Sequence, residues 1–294
     1  MPYVYALANQ KGGTGKTTVT TSLAGAFARQ LGQTVLVIDM DGQCNATTAL
    51  LGRPDPEGLN IKNVLWEALP LSEVMQQTPH DERLWVVPGS TELAYYEKMI
   101  EPQQRDDIIQ EARNILKGGL PDSVDIVLID TGPTLGTWLS AALAAADGVL
   151  VVSEPKKFST DGMAQLFETI ESIREKVNPD LELTGFVLNH FRAGVERHEQ
   201  YIEQMRATYG DYILEPIIRV RQVFDDCQNL GTPVEFVNDR AAKEVRRWFG
   251  QIAETLLLRQ KLAAEEKGSD SHPAGAHPTE SEMALASSDH LPTR

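Results

Sequence analysis

Short runs of Val, Ile, Leu and Ala punctuate the chain: VYALA near the start, TVLVID at 34–39, LWVVP at 84–88, VDIVLID at 124–130, GVLVVS at 148–153 and LTGFVLN at 183–189. They are continuous rather than alternating, the pattern of strands covered on both faces. Between them, apolar residues recur at helical spacing over about 16–31, 91–117, 136–146, 160–177, 195–209 and 238–262. Strand and helix alternating in this way predict an α/β fold, a doubly wound, mostly parallel sheet with helices on both faces. One domain is predicted over residues 1–262. Residues 263–294, ending in KGSDSHPAGAHPTESEMALASSDHLPTR, are acidic and rich in Ser, Pro and Ala with few large apolar side chains. Such a stretch buries too little surface to order itself and is predicted to be a disordered tail.

Composition narrows the class. A chain of 294 residues suffices for one large α/β domain. No apolar run approaches the ~20 residues that span a bilayer, and MPYVYALAN reads as a strand without a basic leader. A cytoplasmic protein is expected, with no membrane partner. Cys44 and Cys227 are far apart and outside any CxxC pair, so they read as small buried hydrophobes, not zinc ligands or a disulfide. The net charge of −15 argues against a nucleic-acid partner, but the charge is unevenly spread. Residues 1–189 hold 25 acids against 14 bases, residues 190–261 hold 11 against 11, and residues 262–294 hold 6 against 2. The middle segment is the relatively basic one, and its arginines either gather on one face or interleave with acids on a solvated surface.

The most specific motif is KGGTGKTT, Lys11 to Thr18, which follows a predicted strand and opens a predicted helix. That context marks a phosphate-binding loop. Gly12, Gly13 and Gly15, with Thr14 among them, let successive backbone N–H groups face phosphate oxygens at a helix N-terminus. Lys16 supplies a point charge, Thr17 a hydroxyl for Mg²⁺, and Thr18 a further phosphate contact. ATP and Mg²⁺ are the expected ligands. Lys11 has no job within this loop, because Lys16 already serves the phosphates.

With its second lysine the chain resembles the deviant Walker A ATPases that include ParA and MinD. The resemblance implies that Lys11 reaches across a two-fold interface to the partner's nucleotide, tying ATP to a homodimer. VIDMDGQCNAT (37–47) and VLIDTGP (127–133) resemble the family's DxDxQ element and Walker B strand. Asp39, Asp41 and Asp130 then stand at carboxyl ends of strands, where open α/β sheets bind ligands. The family places Asp41 beside the attacking water, while Asp39 supports the Mg²⁺ shell and Asp130 holds Mg²⁺ through water. Lys11, Lys16 and Asp41 are the implied catalytic residues. Asn189 falls where the family hydrogen-bonds adenine. The similarity continues through GVLVVSEPKKFSTDGM, FVLNHF and IIRVRQVFDDCQNLGTPV. Arg219 and Val223 depart from the chromosomal ParA pattern, whereas Arg221, Val223, Phe224 and Asp226 fit the small plasmid type.

The resemblance implies an ATPase that binds DNA without sequence preference as an ATP dimer, is stimulated by DNA and a ParB-like partner, and segregates a plasmid or chromosome on the nucleoid. Arg192, Arg219, Arg221, Arg246 and Arg247 are the expected DNA contacts. No helix-turn-helix precedes the P-loop here, so operator binding is not expected. Other readings stay open: a MinD-like membrane-cycling ATPase, a positioner of another cargo such as carboxysomes, or metabolic chemistry on the same scaffold. The first needs a C-terminal basic amphipathic helix, whereas VRRWFGQIAETLLLRQKL at 245–262 stands where the last packing helix belongs.

Overall fold

The computed structural model describes residues 1–9, 11–53, 58–155 and 160–268. Its centre is a sheet whose strands run β1 Tyr3–Ala8, β2 Val35–Met40, β3 Gln76–Gln77, β4 Leu84–Val87, β5 Ile126–Thr131, β6 Gly148–Ser153, β7 Glu182–Leu188 and β8 Ile213–Leu214. In space the order is β3-β4-β2-β5-β1-β6-β7-β8. All pairings are parallel except β3 with β4. The order reverses direction at β1, between β5 and β6, so the carboxyl end of β1 is the crevice where such sheets bind ligands.

Eleven α-helices are described: α1 Lys16–Gly25, α2 Asn45–Leu51, α3 Ile61–Glu67, α4 Leu71–Val74, α5 Leu93–Met99, α6 Arg105–Gly118, α7 Thr137–Ala145, α8 Thr160–Lys176, α9 Glu196–Tyr209, α10 Gln222–Leu230 and α11 Arg240–Gly268. They divide between the two faces of the sheet. Tyr5, Leu7, Val35 and Val37 point to one side, where α1, α2, α10 and α11 bring Val19, Leu23, Ala46, Leu50, Val223 and Phe249. Val4, Ala6, Leu36 and Ile38 point to the other, packed by α3 to α9 through Ile61, Leu71, Leu93, Ile109, Leu139, Leu166 and Ile202. Strands β1, β2, β5 and β6 are wholly buried save Tyr3, which is why they carry hydrophobic residues without alternation.

Two expectations are corrected. The stretch 91–117 is not one helix: α5 ends at Met99, Pro102 opens a 3₁₀ turn over Pro102–Gln104, and α6 starts at Arg105. Proline lacks an N–H and disfavours a helical residue before it, so the periodicity spans a break. The last helix continues past Leu262 to Gly268, into the stretch expected as tail; residues 269–294 lie outside the described residues. Cys44 and Cys227 are buried thiols that are not joined in a disulfide.

Candidate functional site

The P-loop sits at the carboxyl end of β1. Asn9 holds its entrance: its side chain donates to the Val152 carbonyl and accepts from the Lys11 backbone N–H at 2.9 Å. Gly13 and Gly15 take left-handed backbone angles, φ 79 and φ 83, which an L side chain adopts at a cost. The turn delivers the chain into α1 with Gly15 as its N-cap and no side chain capping it. The first N–H groups of α1 therefore have no partner within the helix and carry its positive dipole end.

The two lysines face different ways. Lys16 is only 7% exposed, and its ammonium donates to the Asn9 carbonyl at 3.3 Å. Burial lowers its pKa, opposed by Asp130 and Asp41. Lys11 is exposed. One lysine lines the interior of the loop and the other its outer rim.

Three carboxylates surround the start of α1. Asp130, fully buried at the end of β5, accepts from Thr17 Oγ1 at 2.7 Å and Thr20 Oγ1 at 2.8 Å. Asp39 is its neighbour in register on β2. Asp39 accepts at Oδ2 from the Thr47 N–H at 2.8 Å and Oγ1 at 2.6 Å, and at Oδ1 from the Asp41 N–H at 3.1 Å. These bonds tie the aspartate loop to α2, and Thr47 Oγ1 in turn accepts from the Gly89 N–H at 2.7 Å. Burial raises the pKa of both aspartates; Asp39 is raised further by Asp130, and Asp130 by Asp41. Asp41 lies over the Walker B turn: a Cβ added to Gly132 would stand 3.4 Å from its Oδ1.

Asn189, at the end of β7, closes the far wall. Its Nδ2 donates to the Thr14 carbonyl at 3.0 Å, and its Oδ1 is buried without a partner. Buried polar atoms are nearly always satisfied, so this oxygen awaits a donor. His190 follows with φ 60 and pairs through Nδ1 with Glu154 Oε1 at 2.7 Å. Asn9, Thr20, Thr47 and His190 were not singled out from the sequence. Thr20 could have been, because it stands one helical turn after Lys16 and shares its face.

The arginines are unequal. The Arg221 guanidinium straddles Glu244, Nε at 3.1 Å and Nη2 at 3.3 Å, and stacks over Trp248 with 5.2 Å to the ring centroid. Arg246 donates to the Val237 carbonyl at 2.7 Å. Arg192, Arg219 and Arg247 are exposed. Phe191 pairs with Arg219 in a parallel bridge beyond β7, and the Arg221 contacts join its segment to α11 at Glu244 and Trp248.

The site tests well for a magnesium nucleotide. Left-handed glycines free backbone N–H groups for phosphates, Lys16 offers a buried cation, and the orphaned Asn189 oxygen suits an exocyclic amine. Thr17 and Asp130 offer the hard oxygen donors magnesium takes. Among the described residues there is no group of three or more His, Cys, Asp or Glu that could hold a metal ion. Nor is any described helix long and apolar enough to cross a membrane.

Fold and loop together define a P-loop nucleotide-binding protein. The AAA domain family matches residues 3–183. The chromosome partitioning protein ParA of Caulobacter vibrioides is 33% identical over 233 residues, covering 79% of this chain and 85% of that one. The cell division protein PomZ of Myxococcus xanthus is 32% identical over 262 residues, 88% of this chain and 80% of that one. The chain belongs to the ParA-type partition ATPases within the AAA domain family. Among solved structures, cobyrinic acid a,c-diamide synthase from Mycobacterium smegmatis with bound ADP and magnesium aligns with a TM-score of 0.72 at 26% identity, covering 89% of this chain and 96% of that one.

Proposed function

We propose that the chain hydrolyses ATP with Mg²⁺ in a cycle of dimerisation and non-specific DNA binding that positions a plasmid or chromosome through a ParB-like partner. The observation that carries this reading is the division of labour between the lysines, Lys16 buried inside the loop and Lys11 exposed on its rim. Lys16 and the α1 N-terminus bind phosphate within one protomer, and Lys11 serves the nucleotide of a second copy. Thr17 and Asp130 hold Mg²⁺, which neutralises charge developing on the phosphates. Asp41 orients the water whose oxygen bonds to the γ-phosphorus as the bond to ADP breaks. Asp39 has both oxygens engaged by Thr47 and Asp41, so it serves the metal shell by holding the loop that carries Asp41. Asn189 selects the base.

DNA contacts fall to Arg192, Arg219 and Arg247, with Arg221 holding their segment on α11. One arginine cluster neutralises few phosphates, and a dimer presents two. The amphipathic face of α11 is spent on the core, with Val245, Trp248, Phe249, Ile252 and Leu256 buried, which favours DNA over a membrane as the surface bound. The protein is then cytoplasmic and nucleoid-associated. Gel retardation of random-sequence duplex with Mg²⁺ and ATP, ADP or no nucleotide tests the reading. Retardation in ATP alone, weakened and with a shallower salt dependence in Arg219→Ala, is expected; no retardation in any state refutes the DNA cycle.

A further inference from the structure

Helix α5 touches the aspartate loop and the start of α7, and among the described residues it presents an exposed aromatic face. Ala94, itself exposed, abuts the aspartate loop: a Cβ added at Gly42 would lie 3.1 Å from the Ala94 Cβ and 3.3 Å from its N. One turn on, the Glu97 carboxylate accepts from the Thr137 N–H at 2.7 Å and lies 3.4 Å from the Trp138 N–H. It thereby caps α7, the helix that follows the Walker B turn on which Asp41 rests. Trp138 Nε1 also donates to the Leu93 carbonyl at 2.9 Å. Contacts from α5 thus reach the loop that carries Asp41 and the helix that follows Gly132.

The outer side faces solvent. Tyr95 is 60% exposed, Met99 61% and Trp66, on α3, 39%. Trp66 stacks on Tyr96 with ring centroids 4.2 Å apart and meets Trp138 edge-on at 5.2 Å, so the exposed ledge continues into the ring that anchors α7. Exposed apolar residues scattered singly need no explanation, but a contiguous patch with a polar rim marks an interaction site. Here Glu67, Glu92 and Glu101 are exposed beside it. Of the bases on α3 and α5, Lys62 is paired with Glu92 at 2.9 Å, so Glu67 and Glu101 are the rim acids left, against Lys98.

We propose that the Trp66, Tyr95, Tyr96 and Met99 ledge is the docking surface for a basic, apolar-anchored segment of the stimulating partner protein, and that α5 transmits docking to the catalytic loops. The existence of such a partner rests on the function proposed above. Large apolar anchors suit the aromatic face, and Lys or Arg suits its acidic rim. A second copy docking here by two-fold symmetry would set acidic rim against acidic rim. The chain's own residues 262–294, with 6 acids against 2 bases, carry the wrong charge.

The test is a selection of random peptides displayed on phage, using the full chain with Mg²⁺ and a non-hydrolysable ATP analogue, with subtraction against Tyr95→Ala/Met99→Ala. Both residues are exposed, and thermal unfolding checks that the variant folds. Enriched peptides are expected to be net basic with Leu or aromatic anchors, to bind the double variant about tenfold more weakly, and to raise ATP turnover of the wild type. In Glu97→Gln the peptides should still bind while stimulation is lost, an effect that loss of packing alone does not produce. Failure to enrich, enrichment of acidic peptides, or equal binding to the double variant overturns the surface; binding without stimulation overturns the link through α5. Absence of basal turnover in the wild type refutes the ATPase reading, while the selection still decides the docking surface.

Discussion

Gly15→Ala puts the loop geometry to a quantitative test. Gly15 sits at φ 83, ψ 28, where an alanine costs about 1–2 kcal/mol. Its new Cβ would stand 2.3 Å from Asn189 Nδ2 and 3.5 Å from His190 Nε2. Nothing rigid can stay that close, so Asn189 must withdraw from its 3.0 Å bond to the Thr14 carbonyl, a loss of about 1 kcal/mol. The sum, about 2–3 kcal/mol, falls on the loop and its wall. If binding ATP requires restoring that geometry, affinity drops about thirtyfold to 150-fold. Gly13→Ala separates the two parts, because φ is 79 there but nothing lies within 4 Å of the added carbon; it should lose only about tenfold. Equilibrium titration with a fluorescent ATP analogue and Mg²⁺ measures both, with thermal unfolding as the control for fold. Gly15→Ala binding as tightly as wild type, or no more weakly than Gly13→Ala, refutes the assignment of Asn189 and Gly15 to one wall.

Asp41→Ala should slow ATP turnover about a hundredfold and prolong the ATP-bound dimer, read by phosphate release and light scattering; turnover at the wild-type rate assigns the water to another group. Stability should depend on pH through Asp39 and Asp130. Both carboxyl pKa values are raised by burial, so between the ordinary carboxylate range near ~4 and the raised values the folded chain holds protons that the unfolded chain has released. Their contribution is largest at acid pH and is lost as pH rises through that window. The nucleotide-free protein should therefore lose Tm as pH climbs from about 5 to about 8, less steeply in Asp39→Asn. A wild-type Tm that rises over this span, or an unchanged slope in the variant, contradicts the sign.

The central sheet was legible in the sequence because β1, β2, β5 and β6 are buried on both faces and contain almost nothing polar before their carboxyl ends. The helices α2, α3 and α4 were not, being isolated segments of seven residues or fewer, too short for periodicity to separate from loop. The two-residue strands β3 and β8 carry no pattern at all. In the site, residues fixed by the P-loop spacing could be named directly, since the spacing is the geometry. The bonds that use up the oxygens of Asp39 depend on Thr47 arriving from α2, an unrecognised helix. The pairing of Arg221 with Glu244 likewise joins segments 23 positions apart, so a count of charge could place the basic region but not sort its exposed arginines from its engaged ones.

Lys11 decides the central claim, that nucleotide binding is coupled to association through a lysine reserved for the second copy. Light scattering of wild type and Lys11→Ala with Mg²⁺ and ATP, under conditions where both are saturated, is the direct measurement. The wild type should double in mass with ATP while the saturated variant stays monomeric. A variant that dimerises like the wild type, or a wild type that stays monomeric with ATP bound, contradicts the account.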